Sequence, residues 1–196
     1  MRMNRVGRQF FGSSIRSRML RDTVTPALLR LGGSLAGCRV LEIGAGVGSG
    51  AQLILGLLGA ESVHALDLDP LMLRRARSSG RPIAKLIADM SAIPAADSVY
   101  DAVVNYGALH LADNWRGALR EVARVVRPGG RLFFEQPINP LSRFAFDRAG
   151  GGRIPGGFGR VELLEAIESS GFTMIGVQQV GFGRLDLVGA AQRTAS

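Results

Sequence analysis

Hydrophobic positions along the chain fall into two alternating periods. Short apolar runs at Arg39–Ile43, Ser62–Leu66, Ile83–Ala88, Ala102–Asn105 and Arg131–Glu135 are too short for typical helices and are bounded by Gly, Pro or Asp, which predicts strands. Helical patterns lie between them. In the clearest one, Trp115, Ala118, Leu119, Val122, Val125 and Val126 share one face at spacings of three and four, and the pattern stops at Arg127-Pro128-Gly129-Gly130. Asp69-Pro70 marks a second helix start, with Asp at the N-cap and Pro in the first helical position. The alternation predicts an α/β fold in which helices cover a mostly parallel sheet.

The C-terminal end breaks this rhythm. Thr173–Val180 and Arg184–Gly189 both read as extended, and only Gly181-Phe182-Gly183 separates them. A parallel crossover needs a dozen or more residues, so the pair should form an antiparallel hairpin. The low-complexity stretch from Ala149 to Gly159 reads as a mobile loop. At 196 residues and 46% hydrophobic, the chain can bury one substantial core. Without internal repeats, it divides most simply into an N-terminal arm over 1–37 and one domain over 38–190.

Charge changes the picture only at the N-terminus. Residues 1–30 carry seven arginines (2, 5, 8, 16, 18, 21 and 30) against the single acid Asp22, so six of the eight net positive charges lie in this arm. Lys85 is the only lysine, so codon bias toward arginine accounts for the excess as readily as a surface for membranes, phosphate or RNA does. An arm rich in Arg and Ser also has the look of an organelle transit peptide. Ile15, Met19 and Leu20 are placed to form an apolar helical stripe, which suggests a lid over the sheet that also touches anionic membranes. The longest apolar run, residues 51–60, is far short of the ~20 residues that cross a bilayer. Cys38 is the one cysteine, and no apolar signal-peptide core opens the chain, so a cytoplasmic location is expected.

Candidate chemistry starts at Leu41-Glu-Ile-Gly-Ala-Gly-Val-Gly-Ser-Gly50, where glycines at 44, 46 and 48 follow the first strand and lead into a helix. Such a turn lets a ligand lie against bare backbone at the place where open α/β sheets bind nucleotides. The dinucleotide fingerprint would need glycine at 49, where this chain has Ser49. Asp67 ends the second strand, twenty-one residues after Gly46, where a carboxylate can accept from two ribose hydroxyls. Asp89 ends the third and can accept from an adenine amine, with Met90 packing on the ring. Each acid alone is also explained as an exposed strand-end carboxylate. Together they fit one nucleoside.

With these segments in place, the sequence resembles the class I S-adenosylmethionine-dependent methyltransferases. Val40-Leu-Glu-Ile-Gly-Ala-Gly-Val-Gly48 is similar to their first motif, Ala65-Leu-Asp-Leu-Asp-Pro-Leu-Met-Leu73 to the segment after strand two, and Ala88-Asp-Met90 to the adenine-binding step. Residues 119–132 are similar to the helix and turn before their fifth strand. The resemblance implies a Rossmann-like, doubly wound seven-stranded sheet with the last strand antiparallel, and S-adenosylmethionine as cofactor. It implies that Gly44, Ala45 and Gly46 lie under the methionine portion, with Glu42 organising the turn. Asp67 would hold the ribose, Leu68 would flank the adenine, and Asp89 with Met90 would read it. Asn105 and Tyr106 would face the sulfonium as strand four ends, where a carbonyl or an aromatic face suits a cation. A packing role explains Tyr106 equally well.

Departures from related patterns narrow the acceptor. Asn105-Tyr-Gly-Ala108 lacks the Asn/Asp-Pro-Pro-aromatic motif of enzymes that methylate exocyclic amines in DNA, and no acid cluster resembles the metal site of catechol-type enzymes. Nucleic acid is therefore disfavoured as a partner, and no metal is expected. Tyr100-Asp-Ala-Val-Val-Asn-Tyr-Gly-Ala-Leu-His110 is similar to the small-molecule branch that includes quinone-biosynthesis enzymes, which implies a small-molecule or lipid acceptor. A sulfonium is already activated, so no covalent nucleophile is needed. If the acceptor must lose a proton, His110 is the best-placed base, against the alternative of a structural histidine at a helix start. His64 and Cys38 read as packing residues. The competing readings are a nicotinamide-dependent oxidoreductase, which Ser49 disfavours, and a non-catalytic nucleoside-binding or RNA-associated protein on the same fold. The oligomeric state is not written in the sequence.

Overall fold

A computed structural model of the chain describes residues 14–76, 83–138, 157–181 and 186–195. Seven strands, β1 Arg39–Ile43, β2 Ser62–Asp67, β3 Ile83–Ile87, β4 Tyr100–Tyr106, β5 Val126–Pro137, β6 Phe172–Val180 and β7 Asp186–Arg193, form one sheet in the order β3-β2-β1-β4-β5-β7-β6. β7 runs antiparallel to both β5 and β6, while the other pairings are parallel. Every expected strand is present, and β6 and β7 make the expected hairpin, with Val180 opposite Asp186. The helix-stopping Arg127-Pro-Gly-Gly130 segment is absorbed into β5 as a register shift: Tyr100 pairs with Val126, and Ala102 next pairs with Arg131.

Two apolar layers cover the sheet. On one face α5, Trp115–Val125, buries Trp115, Ala118, Leu119, Val122 and Val125 together with Leu163 and Ile167 of α6, Arg160–Ser169. Of the stretch expected to be a loop, only residues 157–159 are described, and there Phe158 is buried with its ring 4.5 Å from that of Trp115. On the other face lie α3, Ser49–Gly56, and a helical run from the arm. The short α4, Pro70–Arg75, carries the expected cap: the Asp69 side chain accepts from Leu71 N at 3.0 Å.

The arm run comprises α1, Ser14–Met19, a π-helical turn over Leu20–Val24, and α2, Thr25–Gly32. Pro26 gives the π turn a cause. It has no N–H for the carbonyl four residues back, and the turn widens so that Thr25 N bonds to Leu20 O. Leu20, Val24, Ala27 and Leu28 are buried in the same cluster as Val40 of β1 and Val104 of β4. The expected stripe of Ile15, Met19 and Leu20 needs correction at one position. Met19 and Leu20 pack inward, whereas Ile15 is 80% exposed. The inward row is Arg16, Leu20 and Val24, because Arg16 has a buried acidic partner. Among the described residues, no helix is long and apolar enough to cross a membrane.

Candidate active site

β1, β2 and β4 end side by side, and the turns that leave them line an open cleft. Its walls include Glu42, Gly44, Ala45, Gly46, Asp67, Leu68, Asp89, Met90 and Tyr106, which brings nine of the ten expected cofactor-binding residues together. The turn itself requires glycine: Gly44, Gly46 and Gly48 have φ of +70°, +55° and +81°. At Gly44 a side chain would also collide with Ala108, since an added Cβ would lie 2.0 Å from the Ala108 Cβ.

Asp67 holds the turn in place. Its Oδ2 accepts from Gly46 N and its Oδ1 from Asp69 N, both at 2.8 Å, and burial raises its carboxyl despite these bonds. Glu42 is 2% exposed and lies against the start of α3, where a Cβ on Gly50 would come within 1.9 Å of its Oε1. Burial, then the nearby Asp67 charge, push the Glu42 carboxyl well above the usual carboxylate range. Its Oε2 is fully buried without a hydrogen-bond partner. A buried acceptor left in this way is costly unless a ligand supplies a donor.

Asp89 is exposed, with Oδ1 accepting from both Ser91 N and Ser91 Oγ, and these bonds lower its carboxyl. Asn105 is the one expected cofactor residue off the cleft wall. It is 1% exposed, and its Oδ1 accepts from Ala108 N at 2.9 Å, closing the turn that carries Gly107 and Ala108. Tyr106 is fixed from behind by Thr25 of α2, with 3.0 Å between Oγ1 and the phenol oxygen, and burial raises its hydroxyl. His110 sits on a 3-10 turn, Leu109–Leu111, and is buried off the wall with Nδ1 3.1 Å from Gln136 Oε1. His64 lies on β2 at 2.9 Å from the Tyr100 hydroxyl, away from the cleft.

The sequence suggests the arm as a lid, with Leu20 in its apolar stripe, but gives no special place to Arg16. Arg16 and Leu20 line the cleft, and Ser17 Oγ lies 3.2 Å from Ser49 Oγ at the start of α3. Arg16 donates to both oxygens of Glu135 on β5, at 3.2 and 2.5 Å, and to Tyr106 O at 3.4 Å. Asp186 of β7 joins them, its carboxyl raised to about 7 by burial and by the Glu135 charge. The available signal was Glu135-Gln136, two polar residues directly after the apolar run Leu132-Phe-Phe134.

A glycine-cradled cleft at the carboxyl ends of parallel strands, with acids at the ends of the first three, defines a nucleoside-binding α/β protein. Its family is specific. Residues 41–134 match the family described as Methyltransferase domain. Demethylmenaquinone methyltransferase from Mycobacterium tuberculosis is 38% identical over 126 residues, covering 62% of this chain and 50% of that protein. Malonyl-[acyl-carrier protein] O-methyltransferase from Halorhodospira halophila is 36% identical over 99 residues, covering 49% and 34%. The matches thus span half or less of those relatives' length. The solved S-adenosylmethionine-dependent methyltransferase from Mesorhizobium loti shares the fold at a TM-score of 0.73 and 22% identity, covering 86% of this chain and 96% of that one. Residues 41–134 are thus similar to this methyltransferase domain, and the chain shares the fold of a solved S-adenosylmethionine-dependent methyltransferase.

The residues present fit that cofactor. Glu42 Oε2 is a buried acceptor awaiting a donor, which an α-ammonium group provides, and the glycine turn leaves room beside it. A proton linkage follows. A cationic ligand favours the ionised carboxylate that burial disfavours, so binding should expel the Glu42 proton and strengthen as pH rises above the ordinary carboxylate range. Titration calorimetry in buffers of different ionisation heat should detect this release, and Glu42→Gln should remove it. Equal proton release from both proteins, or none from the unmodified chain, would refute the linkage.

Proposed function

We propose that this chain transfers a methyl group from S-adenosylmethionine to a small, hydrophobic acceptor by direct in-line displacement. The observation that carries the reading is the glycine-cradled cleft with two buried acids on its wall, Glu42 and Asp67, which would face the methionine portion and the ribose of the cofactor. The bound sulfonium supplies an already activated methyl. The chain's work is to align the acceptor and exclude water, which contributes up to about 7–11 kcal/mol in ideal cases. Leu68 and Met90 flank the adenine, Asp89 accepts from its amine, and the Tyr106 segment faces the sulfonium. Asn105 acts at one remove by fixing the 105–108 turn.

The arm, residues 1–37, serves as a lid on the domain over 38–190, and the placement of Arg16 and Leu20 on the cleft wall supports this. Its outer face exposes Ile15, Arg18 and Arg21, a surface suited to peripheral contact with an anionic membrane in a cytoplasmic protein. An acceptor of small-molecule or lipid class agrees with relatives named for demethylmenaquinone and malonyl-acyl carrier protein. The test is calorimetry with S-adenosylhomocysteine and NADH, then labelled S-adenosylmethionine with purified chain and a panel of acceptors. Binding of the first ligand and labelled product are expected. Tight NADH binding with none for S-adenosylhomocysteine would overturn the reading.

A further inference from the structure

Residues 88–99 join β3 to β4 without helix or strand, so their backbone polar groups need partners from elsewhere. α5 supplies several of them. Glu121 and Arg124, three residues apart and so on one face of the helix, both reach this segment. Glu121 Oε2 accepts from Ile93 N at 2.9 Å. Arg124 donates through Nη2 to Ile93 O at 2.9 Å and to Glu121 Oε2 at 2.8 Å. Its Nη1 donates to Ala95 O at 2.7 Å and to Asp97 Oδ1 at 2.8 Å, and its Nε to Glu121 Oε1 at 2.8 Å. A guanidinium has five N–H donors, and here every one has an acceptor.

This clasp closes one end of a short span whose other end is tied to the cofactor site. Ala88 N donates to Asp67 O at 3.2 Å, the backbone of the acid assigned to the ribose. Between the two ties lie Asp89 and Met90, both on the cleft wall. Ser91 N and Oγ donate to Asp89 Oδ1 at 2.8 and 2.7 Å, so the carboxylate moves with the span. Ile93 is buried in the same layer as Leu119 and Val122 of α5.

We propose that Glu121 and Arg124 are positioning residues for the nucleobase: by fixing Ile93 they set where Asp89 stands, and so make the site select a base with an amine at its six-position over one with a carbonyl there. The proposal rests on the methyltransferase reading above, with Asp89 as the partner of the adenine amine. An amine N–H donates to a carboxylate, whereas a 6-oxo base sets one acceptor against another. That difference depends steeply on distance and angle. Asp89 is exposed, and a carboxylate on a loose turn could move aside for either base. Holding its backbone from α5 makes the mismatch costly.

The experiment measures, by titration calorimetry on the full chain, Kd for S-adenosylhomocysteine and for S-inosylhomocysteine, its 6-oxo analogue. The unmodified chain should prefer the first by roughly 10-fold to 100-fold, the contribution of one hydrogen bond to a charged group. Arg124→Met should raise Kd for the adenine ligand about tenfold and leave Kd for the 6-oxo ligand within about threefold, so the preference falls. A residue that only stabilised the fold would weaken both ligands alike. Should Arg124→Met fail to fold, Glu121→Ala removes the acceptor of Ile93 N, leaves Arg124 on the Ile93 and Ala95 carbonyls, and should lower the preference about threefold or more. Equal weakening of both ligands, or an undiminished preference in a folded variant, would overturn the proposal. So would an unmodified chain that binds both ligands equally. An unmodified chain that binds no S-adenosylhomocysteine would instead overturn the functional reading, and the proposal with it.

Discussion

Asp67→Ala is expected to weaken S-adenosylhomocysteine binding by about 10²-fold to 10⁴-fold while leaving the chain folded. Two ribose hydrogen bonds to a carboxylate contribute roughly 1.5–3 kcal/mol each, and each 1.4 kcal/mol is a factor of ten. The substitution also frees Gly46 N and Asp69 N, which Asp67 ties at 2.8 Å, so the glycine turn loses its tether to β2. Fold stability should respond less, because burial already opposes the ionised form. With its carboxyl raised, Asp67 contributes stability present below the ordinary carboxylate range and lost as pH rises through its folded value. Calorimetry and thermal unfolding on the same preparation separate the two effects. Affinity within threefold of the unmodified chain would remove Asp67 from the cofactor site.

The sheet was legible in the sequence because its signals are local. Each parallel strand is a short apolar run between breakers, and the three-residue spacing at Gly181 to Gly183 leaves only a hairpin. The cleft was legible for a related reason: Asp67 and Asp89, which line it, sit at fixed offsets past strand ends, where an acid has few packing roles. Asn105 shows the limit of that logic. Its position at the end of β4 is right for a ligand-facing group, yet its side chain caps the next turn, a choice set by the Ala108 N–H three residues on. Arg16 was hidden for a different reason. Its partner lies 119 residues away, and in the sequence it is one of seven similar arginines. Nothing local tells a buried guanidinium from an exposed one, and only the fold brings β5 beneath α1.

That long-range pair sets the largest expected loss of stability. Glu135→Leu takes away the carboxylate to which the buried Arg16 guanidinium donates twice, a change that costs about 3–5 kcal/mol when both groups are desolvated and less where Asp186 takes over as counter-charge. Both groups are desolvated, at 9% and 0% side-chain exposure. The chain can limit this cost by releasing residues 14–24 from the cleft, so hydrogen exchange should accelerate there while β1 and β4 stay protected. Arg16→Met combined with Glu135→Leu should recover most of the lost stability, since an apolar pair needs no partner charge. The same reasoning fixes where the arm can be cut. Removing residues 1–20 takes away Arg16 and Leu20 and strands Glu135 beside Asp186, so that deletion should lower both stability and cofactor affinity. Removing 1–13 spares the pair and should leave cofactor binding intact, isolating any role of the basic extension in acceptor turnover or vesicle binding. Unchanged stability and unchanged exchange in Glu135→Leu would show that the ion pair does not hold the arm.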